Sequence, residues 1–153
     1  MTKPIGSEAR KPNPTLKPFE PLIGDWRTTG THPLLPGKTL HGRASFSWIE
    51  GGAFLIWRSE IDEPEVPSGT AILGSDDAAG TFSMLYSDER GVSRRYGVTI
   101  SGDVMTWSRD DPKFRQRMTL AIDAGGTRIV STGEMSREGK PWEGDLELTY
   151  ERL

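Results

Sequence analysis

Few side chains in this chain could do acid–base or coordination chemistry. Acidic pairs occur at Asp76-Asp77, Asp88-Glu89 and Asp110-Asp111. Adjacent carboxylates on a strand point to opposite faces, and all three pairs fall in turn-rich segments, so they read as turn formers and not as an acid–base dyad. His32 and His41 stand nine residues apart in a chain without cysteine, which is a poor ligand set for a metal. There is no Gly-x-Ser-x-Gly and no phosphate-binding loop. The informative set is cationic, phenolic and amide: Arg94, Tyr96, Arg109 and Gln116, with Tyr86, Trp107 and His32. Such groups orient an anionic or carbonyl-bearing ligand among aromatic walls. They require no nucleophile, no metal and no cofactor.

These residues face one another only if the intervening elements are strands. From Trp26 onward, turn signals recur every 8 to 12 residues or so, as in a sandwich or barrel. Ten strands are expected, over 24–32, 39–50, 52–62, 69–75, 80–87, 91–100, 103–109, 113–122, 126–135 and 142–152. The links are short and rich in Gly, Pro and Asp, so sequential strands should pair antiparallel. A meander this long should close on itself, because closure removes exposed edges. The expected fold is therefore all-β: an up-and-down barrel over 19–153, after a Pro-punctuated, disordered lead over 1–18. The apolar spacing of Leu16, Phe19, Leu22 and Ile23 permits a short helical turn that caps one end.

Alternation then sorts the faces. Trp142, Gly144, Leu146, Leu148 and Tyr150 share one side of the last strand, and Glu143, Asp145, Glu147 and Glu151 the other. Arg94 and Tyr96 share a face with Val98; Met105, Trp107 and Arg109 share the next; Phe114, Gln116 and Met118 follow. Residues 53–61 are apolar on both faces and have no expected orientation. An arginine inside a closed apolar core costs several kcal/mol unless it is paired or solvated. Either the barrel holds a wet pocket, or a bulge turns these arginines outward, or one of them pairs with Glu60.

The totals exclude several classes. A chain of 153 residues buries about 68–70% of its unfolded surface and can hold one full core. Without cysteine there is no disulfide scaffold and no thiol chemistry, which favours a reducing compartment. No run approaches the roughly 20 apolar residues of a membrane span, and the N-terminus lacks the apolar core of an export signal. Net charge is −3 with scattered basic residues, which leaves no footprint for nucleic acid. The expectation is a cytoplasmic monomer or homodimer whose partner is a small hydrophobic or anionic molecule.

Gly24-Asp25-Trp26 after a short capping turn, followed by this meander, resembles the calycin superfamily: the lipocalins, the fatty-acid-binding proteins and the nitrobindin-type barrels. The ending Leu148-Thr149-Tyr150-Glu151-Arg152 is similar to the final strand of that group. The resemblance implies that Arg152 packs on Trp26, and that Gly24, Trp26 and Arg152 close the barrel. More narrowly, residues 46–55, 74–77 and 86–92 resemble an uncharacterised bacterial calycin-like family without an established activity. Two departures stand out. Lipocalins are mostly secreted and often disulfide-bonded. Nitrobindin-like barrels hold heme through a histidine late in the chain, whereas nothing after His41 is a histidine here, so heme would need His32 or His41.

Three readings follow. The first is a non-catalytic barrel that holds an amphipathic or anionic hydrophobic ligand in an internal cavity lined by Tyr86, Arg94, Tyr96, Trp107, Arg109, Gln116 and His32. The second is an enzyme in the same cavity, with Tyr or His32 as acid and an arginine stabilising an oxyanion. The third is a filled barrel that acts through its surface. The scarcity of bases favours the first.

Overall fold

The structure, a computed structural model, describes residues 12–153. The first eleven residues of the expected lead lie outside the described part. Within that lead the chain is already ordered, because a 3₁₀ helix begins at Pro14 and runs to Leu22. Asn13 caps it by accepting the Thr15 N–H at 3.1 Å. Pro18 and Pro21 remove backbone donors that an α-helix would need. Leu16, Phe19 and Leu22 stand three residues apart, the period of a 3₁₀ turn, so all three fall on one buried face.

The strands follow as β1 (Gly24–Thr31), β2 (Leu40–Ile49), β3 (Phe54–Ile61), β4 (Gly69–Asp76), β5 (Thr81–Asp88), β6 (Ser93–Ser101), β7 (Val104–Asp111), β8 (Phe114–Ile122), β9 (Arg128–Arg137), β10 (Glu143–Gly144) and β11 (Glu147–Arg152). Each pairs antiparallel with its sequence neighbour from β1 to β9, and β9 also pairs with β10 and β11. The β1–β11 ladder closes the ring. Taken together, β10 and β11 are the interrupted tenth strand of a closed antiparallel barrel. Among the described residues, no helix is long and apolar enough to cross a membrane.

Two facing assignments are resolved or corrected. In β3, Leu55, Trp57, Ser59 and Ile61 point inward, and Phe54 and Ile56 lie outside, half-buried. Both faces of that strand are covered, which is why alternation alone could not orient it. In the last strand the expected facing holds for Leu146, Leu148 and Tyr150 but fails before them. Gly144 pairs with Glu134, and Leu148 pairs with Ser131. The partner therefore advances by three residues while this strand advances by four. The extra residue is a bulge at Asp145–Leu146, and it reverses everything on its N-terminal side. Trp142 lies outside, between the guanidinium groups of Arg115 and Arg117 at 4.9 and 3.9 Å. Asp145, expected outside, is buried and faces in.

One end of the barrel is sealed. The helix sits across it, with Phe19 edge-on to Phe82 at 5.0 Å. Trp26 is wholly buried and donates its indole N–H to Leu22 O at 2.9 Å. Arg152 is its register partner on β11. The guanidinium lies 4.2 Å from the Trp26 ring centroid and donates to Pro21 O and Ile23 O, both at 2.7 Å, and to Gly126 O at 2.9 Å. One cation thus ties the helix, the β8–β9 turn and β1 together. Gly24 has φ +136°, and a Cβ there would stand 2.5 Å from Arg152 Nη1, so both backbone and space call for glycine.

Arg152→Leu should lower unfolding free energy by about 2 kcal/mol, because three carbonyls lose a charged donor at once. Urea denaturation should show a lower midpoint with an unchanged slope. Arg152→Lys should recover little, since a single ammonium cannot span three acceptors and stack on the ring. A midpoint equal to the parent's would show that the clamp is dispensable.

Candidate functional site

The opposite end is open in design. There the inward residues at one end of β3 to β9, with neighbouring loops, surround a cavity of about 540 Å³. His32 comes from beyond β1, Trp57, Ser59 and Ile61 from β3, and Gly69 and Ala71 from β4. Met84 and Tyr86 come from β5, Arg94 and Tyr96 from β6, and Trp107 from β7. Phe114, Gln116 and Met118 come from β8, Met135 from β9, and Asp145 and Leu146 from the bulge. The alternation of each strand selects these residues.

The walls divide into two kinds. The apolar wall is a run of aromatic contacts. Phe46 stacks on Trp57 at 5.0 Å, and Trp57 meets Trp107 edge-on at 5.1 Å. Among the described residues Trp57 Nε1 is buried without a hydrogen-bond partner, while its ring lines the cavity. Met84 and Met118 complete that side with polarizable thioethers that adapt to irregular ligands.

The polar wall is a connected chain. Tyr96 donates its hydroxyl proton to Gln116 Oε1. Gln116 Nε2 donates to Asp145 Oδ2 at 2.8 Å. Asp145 Oδ1 accepts the Leu146 N–H at 2.8 Å and faces His32 Nε2 at 3.4 Å. His32 Nδ1 accepts the Leu34 N–H at 3.0 Å. That last bond fixes the tautomer: the ring proton sits on Nε2, toward the carboxylate. Burial pushes the Tyr96 hydroxyl above the ordinary range of a phenol, against the opposing pull of Arg94 beside it.

Next to this chain stands Arg94. It is half-buried, opposite Tyr86 in the β5–β6 register, and its guanidinium lies 4.5 Å over the Phe114 ring. Among the described residues no carboxylate pairs with it. Arg90, also at the cavity, is neutralised: its Nη2 lies 2.6 Å from Asp88 Oδ2. Tyr86 donates to the same carboxylate at 2.8 Å. Its hydroxyl is raised by burial and then by that bond. Arg90, with help from Tyr86, holds Asp88 down to about 2. The Tyr86 ring leans over Gly69, the β4 partner of Asp88 and so diagonal to Tyr86, where a Cβ would meet ring carbon Cε2 at 2.6 Å.

Six of the seven expected residues line this one cavity: His32, Tyr86, Arg94, Tyr96, Trp107 and Gln116. Arg109 does not. It faces the same way but turns to Asp111, 3.6 Å away, and is absent from the cavity lining. Among the lining residues outside those seven are Asp145, Trp57, Arg90 and Arg137. Asp145 was hidden by the bulge, although a glycine inside a strand pattern, Gly144, is a bulge signal. Trp57 lay in the strand without orientation. Arg90 was assigned to a turn, yet the β5–β6 hairpin curls it back over the opening. Arg137 lies at the exposed end of β9. Two proline-containing loops also contribute, through Leu34 and Leu35 on one and Glu65, Val66 and Pro67 on the other. Lys38 and Glu63 join these loops at 2.7 Å.

His41 is exposed on the outer face of β2, and both nitrogens of His32 are engaged. Neither histidine offers a free nitrogen to a heme iron in the cavity. Among the described residues, no cluster of three or more His, Asp or Glu could hold a metal ion.

No protein-family model matches the chain, and no curated protein matches it. Among solved structures, the barrel is similar to the crystal structure of Rv2717c from M. tuberculosis. That match has 18% identity and a TM-score of 0.68, and covers 94% of this chain and 99% of that one. It is also similar to the S-type phycobiliprotein lyase CPES from Guillardia theta. Here identity is 14% and the TM-score 0.58, over 88% of this chain and 90% of that one. At such identities the likeness is one of fold alone, a closed antiparallel β-barrel.

The Asp88 carboxylate gives a pH prediction. In the folded chain it stays ionised down to about 2, whereas in the unfolded chain it takes up its proton near 3.8. Its contribution to stability is therefore complete above 3.8 and lost as pH falls through about 2. Urea midpoints measured across that window should fall more steeply for the parent than for Asp88→Asn, which should already be less stable at neutral pH. Parallel curves would overturn the assignment.

Proposed function

We propose that this protein is a non-catalytic small-molecule-binding barrel, and that its cavity holds an amphipathic ligand with one anionic group. The observation that carries the reading is Arg94: a half-buried guanidinium at the cavity with an aromatic ring on one face and no carboxylate partner. A cation in that position is costly until an anion joins it. With Phe114 on one face and one donor given to the Tyr96 oxygen, its remaining in-plane donors suit a carboxylate or sulfonate edge. Opposite lie Trp57, Trp107, Met84 and Met118, which suit an apolar body. The volume of about 540 Å³ falls within the range of ligand pockets in general.

The same geometry speaks against acid–base catalysis. Asp145 faces three donors, from Leu146, Gln116 and His32, and His32 has no free ring nitrogen. The phenols of Tyr86 and Tyr96 are raised, so they keep their protons at neutral pH. Asp145, His32, Tyr86 and Tyr96 are each committed to a neighbour, whereas a general base must reach the reacting atom. The expected cytoplasmic setting and the monomeric or homodimeric state remain part of this proposal.

The test is binding of 1-anilinonaphthalene-8-sulfonate, an aromatic anion whose fluorescence reports an apolar site. Arg94→Met should weaken it about tenfold, or about 1.4 kcal/mol, and should flatten its salt dependence. Arg109→Met should change it less than about twofold, because Arg109 is turned to Asp111. Equal affinity in the parent and Arg94→Met would refute the proposed site.

A further inference from the structure

The polar wall has a direction, and its source is the bulge. A carboxylate can only accept hydrogen bonds. Asp145 Oδ2 therefore requires Gln116 to present its NH₂, at 2.8 Å. A carboxamide so turned directs Oε1 the other way, to Tyr96, which must then donate. A phenol has one proton. Once that proton lies in the bond to Gln116, the Tyr96 oxygen can only accept: Arg94 beside it donates to one lone pair, and the other is left for the cavity. Burial of the phenol holds the proton in place. Oδ1 cannot relax this order, because it is itself saturated by Leu146 N–H and faced by His32 Nε2–H.

We infer that Asp145 fixes Tyr96 as a hydrogen-bond acceptor toward the ligand, so that the cavity selects acids carrying an O–H or N–H donor beside the acid group. The inference rests on the anionic-ligand reading and narrows it. The acid group meets the donors of Arg94, and its neighbouring group meets the oxygen of Tyr96. An acid whose neighbouring group is another acceptor would set two lone pairs against each other in a buried site. Sites built around a hydrogen bond reject the analogue that lacks it far more strongly than apolar pockets reject a change of size. Asp145 is then a positioning residue that acts through Gln116 and touches no ligand atom.

Indole-2-carboxylate and 1-benzofuran-2-carboxylate make a near-isosteric pair: the first has a ring N–H beside its acid group, the second a ring oxygen. Calorimetry on the full chain should find the indole acid bound at least about tenfold tighter. Arg94→Met should weaken both acids and still leave the indole acid the tighter bound of the two. Asp145→Asn keeps the shape but can turn an NH₂ toward Gln116, which flips that amide and frees the Tyr96 proton for the cavity. The ratio should then fall to near one or invert. Gln116→Met, which frees the same proton without touching Asp145, should also abolish the preference. Equal binding of the two acids by the parent overturns the inference, as does a preference that survives in folded Asp145→Asn or Gln116→Met.

If neither acid binds and 1-anilinonaphthalene-8-sulfonate binding ignores Arg94, the binding reading itself has failed. The polarity is then read in the ligand-free protein. Proton NMR should show a slowly exchanging Tyr96 hydroxyl close to the Gln116 side chain, lost in Asp145→Asn. Rapid exchange of that proton in the parent would overturn the fixed polarity.

Discussion

One extra residue between Gly144 and Leu148 decides what the inside of this barrel can do. In a closed sheet, facing is a matter of parity, and a single insertion exchanges inside for outside along the rest of the strand. On one side of the bulge, Leu148 and Tyr150 pack into the core. On the other, Trp142 is sent out to lie between two arginines. At the bulge the chain delivers a carboxylate inward. Gly133, opposite Met118 on the adjoining strands, supplies room: a Cβ there would stand 2.1 Å from the Met118 sulfur and 3.6 Å from Asp145 Cβ. Without that carboxylate, nothing would dictate how Gln116 and Tyr96 hydrogen-bond.

The two ends of the barrel are built on opposite principles. At the sealed end, polar groups exist to satisfy the backbone: Arg152 donates to three carbonyls and Trp26 to one. Little there remains free to bind anything. At the open end, side chains bond mainly to one another, in the chain from Tyr96 to His32 and in the group of Tyr86, Asp88 and Arg90. The loops above are joined by the single ion pair of Lys38 and Glu63. Lys38 is held above its ordinary range chiefly by its hydrogen bond to Glu63. An exposed pair of this kind adds little stability. The sealed end therefore bears the rigidity, and the open end can admit a ligand.

How much of this was legible depended on whether local alternation was unbroken. In β6 and β8 it is, and Arg94, Tyr96, Gln116 and Met118 fall where the period of two puts them. The sealed end was legible for another reason: Leu16, Phe19 and Leu22 carry the three-residue period of their helix, and the Gly-x-Trp with a late arginine resembles a known closure. The losses have physical causes as well. Phe54 and Ile56 are half-buried on the outer face, so β3 shows no contrast between its sides. Arg90 follows a hairpin turn whose path depends on Asp88 holding it. Asp145 obeys a register set by β9, more than ten residues away in sequence, and Gly144 was the only local trace of it. Arg109 alternates correctly but is captured by Asp111, and alternation does not report which neighbour a long side chain chooses.

A buried polar network is stable only when its members satisfy each other, and a satisfied network has little left for chemistry. Asp145 has its donors, His32 has both nitrogens occupied, and Asp88 holds Arg90 and Tyr86. What remains along this wall is the rest of the Arg94 donor fork and one lone pair of Tyr96, once Arg94 has donated to that phenol. They are two residues apart on the same face of β6 and open into the same cavity. On the proposed reading, a donor set and an acceptor side by side on one strand face are what a carboxylate with a neighbouring donor group would meet.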